Sequence, residues 1–113
     1  MNVVVVYTYV VKYEKQKEFQ ASVKPALKQF LKYKKTNPKA FEGLKSWRLF
    51  QQEYGGVAGT YVEMWEFKSI EEMEKFNARM MKDKEMKKIY APEEFNKMID
   101  HTTVTQSIWN TVV

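Results

Sequence analysis

Cysteine is absent from this chain and histidine occurs once, as His101. Without cysteine there is no disulfide framework, no thiolate nucleophile and no Cys-ligated metal site. A single imidazole excludes a multi-histidine metal centre and a coupled histidine pair, so no metal is expected. Long apolar runs are missing as well. The longest, Val3 to Val11, is interrupted by Tyr7, Thr8 and Tyr9, whereas a membrane-spanning helix needs about 20 apolar residues. The first residues show neither a basic leader nor a small-residue cleavage site, which predicts a cytoplasmic protein with no membrane partner.

What remains is a chain of 113 residues, the size of one domain, residues 1–113, with a core of its own. Aromatic residues make up 15% of it, and the net charge is +5. Basic charge combined with stacking rings is how single-stranded nucleic acid is held, so that class has to be weighed.

Val3 to Lys12 is rich in β-branched and aromatic residues and reads as a strand. It is apolar on both alternating sets, the pattern of a strand covered on both faces. From Glu14 to Lys35 the period changes to three and four, with Phe19, Val23, Ala26, Leu27, Phe30 and Leu31 on one helical face. Pro25 predicts a kink or a division of that helix, and Asn37-Pro38 its end. Leu44 to Gln52 and Thr60 to Phe67 read as strands two and three, joined by a glycine-rich loop. Ser69 and Glu72 form a capping box for a second helix carrying Met73, Phe76, Asn77, Met80 and Met81. Ala91-Pro92 breaks that run, and Pro92 suits the first position of a short helix with Phe95, Met98 and Ile99. Thr102 to Val113 reads as strand four.

The order is β-α-β-β-α-β, which predicts an α+β, ferredoxin-like fold: a four-stranded antiparallel sheet with its helices on one face. The other face would be bare. If it presented Tyr7, Tyr9, Tyr61, Trp65 and Phe67 to water, the patch would be too large for a quiet monomer, so something covers it. A second copy of the chain and a nucleic acid are the two economical covers. The charge is also unevenly placed. Residues 1 to 48 hold 11 basic and 3 acidic groups, residues 49 to 113 hold 8 and 11. The excess belongs to the first helix, on the far side of the sheet from its free face.

Gly43, Trp47, Leu49 and Phe50 resemble the Gly-x-x-x-aromatic-x-Leu-aromatic strand of the dimeric α+β barrel proteins, the antibiotic-biosynthesis-monooxygenase-like superfamily. Glu63-Met64-Trp65-Glu66, followed by a helix with Met73 and Phe76, resembles that superfamily's Glu-x-Trp strand-to-helix segment. The resemblance implies a homodimer packed sheet against sheet, with a pocket in each protomer lined by Tyr7, Tyr9, Glu63, Trp65 and Arg48 or Trp47. It implies a small aromatic ligand and, in some members, cofactor-free monooxygenation of polycyclic aromatics. Haem-degrading members carry an Asn on strand one, a Trp on strand three and a His on the second helix. Trp65 matches the Trp, but Tyr7 falls near the strand-one position and no His occurs between Ile70 and Lys82. Haem degradation is therefore disfavoured, and no cofactor is expected.

Each candidate carries two readings. Trp65 is either a ring beside a flat ligand or a large core residue. Glu63 is a general acid or base, or a structural partner of Arg48, or a half-wet rim residue. Tyr7, the other catalytic candidate, and Tyr9 offer hydroxyls to a ligand or simply pack. Arg48 holds an anionic group or an ion pair within the sheet. His101 reads as a loop or helix-end residue. Three function classes follow: a small-molecule barrel that binds or oxygenates an aromatic compound, a non-catalytic regulatory or assembly dimer, and an RNA-binding module. The glycine-spaced signature of the RNA module is absent from strand three, and Glu63 and Glu66 would face phosphates there, both of which argue against nucleic acid.

Overall fold

A computed structural model describes residues 2–90 and 93–113; the Ala91-Pro92 break expected from the sequence lies outside them. β1 (Val3–Val11) leads through a 3₁₀ turn into α1 (Gln16–Thr36), then β2 (Leu44–Gln51) and β3 (Thr60–Phe67). Three helices follow, α2 (Ile70–Lys82), α3 (Lys84–Tyr90) and α4 (Glu93–Met98), and β4 (Ile99–Asn110) closes the sheet. The strands pair antiparallel in the order β2-β3-β1-β4. This is the expected ferredoxin-like α+β fold, with the second helical segment in three pieces. No helix among the described residues is long and apolar enough to cross a membrane.

Register decides which side chains lie under the helices. Val3 pairs with Phe67, Val5 with Trp65, Tyr7 with Glu63 and Tyr9 with Tyr61, so these eight share one face. Val3, Val5, Trp65 and Phe67 pack with Phe30 of α1, Met73 and Phe76 of α2 and Met86 of α3. Tyr9, Val11 and Tyr61 pack with Phe19 and Met98. The tyrosines and Trp65 therefore lie beneath the helices, not on the free face where the sequence reading put them. Ring volume is the reason. The space between sheet and helices takes the large side chains, while Val4, Val6, Val10, Val62 and Met64 line the free face, half-buried by their neighbours.

Three further expectations are corrected. α1 runs unbroken through Pro25, which sits on its exposed side; the face carrying Phe19, Val23 and Phe30 is anchored on both sides of it. Ser69 caps α2 by accepting the Glu72 N–H at 3.1 Å, but the Glu72 carboxylate points to Lys75 rather than back to the cap. β4 starts at Ile99, three residues early, because Asp100 and Thr103 build a bulge there. Asp100 Oδ1 accepts from the N–H and hydroxyl of Thr102, and Thr103 Oγ1 accepts the Val10 N–H at 2.9 Å.

Asp83 ends α2 and starts α3. Its Oδ1 accepts the N–H groups of Glu85 and Met86, and its Oδ2 accepts the Tyr33 hydroxyl of α1 at 2.7 Å. The Tyr33 hydroxyl first, then the Met86 N–H, hold the Asp83 carboxyl below the usual carboxylate range. A depressed folded-state value means that this stabilisation is present above the unfolded-state range and is lost as pH falls through the lowered value. Asp83→Asn keeps a capping oxygen but removes the titration. Thermal melts from neutral to acid pH are expected to show a shallower acid loss for that variant; parallel curves would refute this role.

Candidate functional site

Glu63 stands at the centre of β3 on the helix-facing side, between two rows of rings. Its Oε2 accepts the Tyr9 hydroxyl at 2.6 Å, and its Oε1 accepts the indole N–H of Trp47 at 3.1 Å and of Trp65 at 3.3 Å. β1, β2 and β3 thus each contribute one donor, because adjacent strands place Tyr9, Trp47 and Trp65 around the same carboxylate. An ionised carboxylate is acceptor-only, so three neutral donors suit it. Burial, and then the Glu63 charge, push the Tyr9 hydroxyl far above the usual tyrosine range. The Tyr9 hydroxyl is thereby favoured in its protonated, donating form.

An open cleft of about 250 Å³ runs between the sheet and α4, with Tyr7, Phe95, Asn96, His101 and Val104 on its walls and Glu63 and Trp65 at its inner end. A narrower inner space of about 40 Å³ touches Glu63 again, between Phe30, Trp47 and Ile89. The inner space holds about one or two waters. The outer one approaches the size of a pocket for a compact small molecule. Its walls carry the rings of Tyr7, Tyr9, Phe19, Trp65 and Phe95, with Phe19 and Phe95 5.3 Å apart, centroid to centroid.

The structure brings together Tyr7, Tyr9, Trp47, Glu63 and Trp65. It separates Arg48 from them. Arg48 pairs with Met64 on the free face, with its guanidinium 4.9 Å from the Phe50 ring centroid. The expected Glu63–Arg48 partnership is thereby replaced by the Tyr9, Trp47 and Trp65 donors. Tyr7 carries its hydroxyl to the cleft rim, where it accepts from Gln106 Nε2 at 3.3 Å. Among the described residues no group of three His, Cys, Asp or Glu side chains could hold a metal ion.

His101 is the residue that sequence reasoning missed. It belongs to β4, not to a loop, and it lines the cleft together with Val104. A spacing of three would put these residues on opposite faces of a regular strand; the bulge re-aims them to one. His101 Nε2 lies 2.6 Å from the Asn96 carbonyl, so that nitrogen donates and Nδ1 is left as the acceptor in the neutral ring. Being the chain's single histidine, beside a predicted strand start, was the one signal available.

Tyr61 differs from its neighbours. Its hydroxyl is buried and has no hydrogen-bond partner among the described residues. Tyr61→Phe removes a desolvated polar group while keeping the ring, and is expected to stabilise the fold by about 1 kcal/mol. A drop in the denaturant midpoint would show that the hydroxyl has a partner.

No protein-family model and no curated protein matches the chain. Solved structures do. A NIPSNAP family protein of unknown function from Agrobacterium tumefaciens superposes with a TM-score of 0.67 at 18% identity, over 97% of this chain and 87% of that one. An uncharacterized NIPSNAP domain protein from Burkholderia xenovorans gives 0.65 at 13%, over 98% and 95%. A variant of SnoaB, a cofactor-independent oxygenase from Streptomyces nogalater, gives 0.62 at 11%, over 99% and 94%. At these identities the likeness is one of fold: the chain shares the ferredoxin-like α+β architecture of these structures.

Proposed function

We propose that this protein binds a small, flat and largely apolar molecule in the cleft that ends on Glu63. The carrying observation is the cleft itself, walled by rings and floored by a carboxylate held by Tyr9, Trp47 and Trp65. Rings supply apolar area, and the carboxylate supplies one fixed polar point, the usual division of labour in a small-molecule site. Trp47 and Trp65 both touch Glu63, so occupancy is expected to change tryptophan emission. Titration with naphthalene- and anthracene-type compounds tests this, with a saturable response as the expected result. A flat response across such a panel sinks the reading.

Oxygenation of the bound molecule without a cofactor is the second reading, favoured by the likeness of fold to SnoaB. Glu63 is then the group that takes a substrate proton, since Tyr9 holds its own. Oxygen uptake that requires both protein and substrate, and that fails in Glu63→Gln, is its test.

The working unit in this proposal is a homodimer. The free sheet face carries Val4, Val6, Val10, Val62 and Met64, with Phe50 39% and Trp109 62% exposed beside them. A second copy of the same face would bury this surface against like surface. Met64→Glu places a charge at its centre and is expected to weaken association by about 3 kcal/mol, roughly 100-fold. Sedimentation reads the outcome. A wild-type protein that is monomeric at micromolar concentration would remove the dimer from the proposal.

A further inference from the structure

We infer that the ligand of this cleft, on the reading that the cleft is a binding pocket, carries a protonated amine on an apolar frame and seats it against Glu63. The distribution of charge around the site points there. Among the described residues, neither the outer cleft nor the inner space is lined by a lysine or an arginine. All ion pairs recorded among the described residues join side chains three or four positions apart on helical segments, and Glu63 is in none of them. The one guanidinium on a neighbouring strand, that of Arg48, lies across the sheet over Phe50. Glu63 is thus a carboxylate whose hydrogen-bond partners are a phenol and two indoles, with no cationic side chain among them.

Three donors occupy three of the roughly four lone-pair positions of a carboxylate. Glu63 also lines the cleft, so a donor on a bound molecule can reach the carboxylate from there. A donor from the ligand completes the set, and a cationic donor also supplies the missing positive charge. Hydrogen bonds between ionised groups are about twice as strong as neutral ones, and the rings of Trp65, Tyr9 and Phe19 around the inner end add attraction for an ammonium. A carboxylate or phosphate on the ligand would meet Glu63 as a like charge and is excluded from the floor. A neutral alcohol gains one hydrogen bond and no more.

Phenylpropylamine, phenylpropanol and phenylpropanoate share one frame and differ in charge, and titration of the full-chain protein at neutral pH and low salt with each tests the inference. Tryptophan emission and calorimetry are the readouts. The amine is expected to bind about tenfold tighter than the alcohol, and the carboxylate weakest. Glu63→Gln is expected to abolish the amine's advantage over the alcohol. The wild-type ranking decides the matter even where that variant fails to fold. An alcohol or carboxylate that binds as tightly as the amine overturns the cationic ligand but leaves the pocket standing. Failure of all three to bind at millimolar concentration overturns both.

Discussion

Glu63→Leu is expected to destabilise the protein by about 3 kcal/mol, and Tyr9→Phe by about 2 kcal/mol, yet the double variant by less than their sum. Leucine removes the acceptor shared by Tyr9, Trp47 and Trp65, so the buried Tyr9 hydroxyl must find water in the small space beside it or stay desolvated. Phenylalanine removes that hydroxyl in advance, so Glu63→Leu then orphans one group fewer. The difference, the coupling between the two, is expected to be about 1 to 2 kcal/mol in urea melts. Additive effects would mean that the 2.6 Å contact contributes nothing measurable. A pH dependence accompanies it. The folded-state value of Tyr9 is raised above the ordinary 10.0, so its contribution is complete below that pH and is lost as pH rises beyond it. Tyr9→Phe is therefore expected to flatten the alkaline loss of stability. An unchanged alkaline limb would place the titration elsewhere.

Phe76→Ala is expected to cost 3–5 kcal/mol, roughly a third or more of the stability of an ordinary domain. Phe76 is fully buried and joins α2 to the sheet, with ring centroids 5.3 Å from Phe67, 6.2 Å from Trp65 and 6.2 Å from Phe41. These rings come from three separate segments, α2, β3 and the turn before β2, so no single rearrangement can fill the hole that alanine leaves. The thermal midpoint is expected to fall by about 10 °C or more. Leucine at the same position keeps most of the volume and is expected to recover about half of the loss. A shift of only a degree or two for alanine would show that the helix layer closes down on the sheet. The Glu63 site would move with it, since Trp65 touches both.

Much of this architecture is legible along the chain because it depends on local rules. The alternation from Val3 to Val11, the three-and-four spacing from Phe19 to Phe30 and the Ser69 cap each act within a few residues, and each element appears where its pattern places it. Pro25 is where a local rule loses: packing of Phe19 and Phe30 on either side holds α1 in one piece. Asp83 passes unnoticed in sequence because a lone aspartate inside a helical pattern looks like surface, whereas its two capping bonds and its Tyr33 partner divide that pattern in two.

The site shows the same division. Tyr7, Tyr9, Trp47, Glu63 and Trp65 stand out in sequence as a carboxylate among rings on paired strands, and the fold gathers all five. Arg48 stands out equally and lies on the other face, because a strand turns successive side chains to opposite sides and Trp47 takes the inner one. His101 enters the cleft only through a bulge whose bonds join Thr103 to Val10, ninety-three positions away. Composition and periodicity by themselves determined the β-α-β-β-α-β order, the absence of cysteine and multi-histidine chemistry, and the presence of an unusually apolar sheet. Only the tertiary structure decided which face holds the rings and what Glu63 pairs with. Those depend on strand register and on the volume beneath the helices, and a shift of one residue in register would exchange the inner and outer sets.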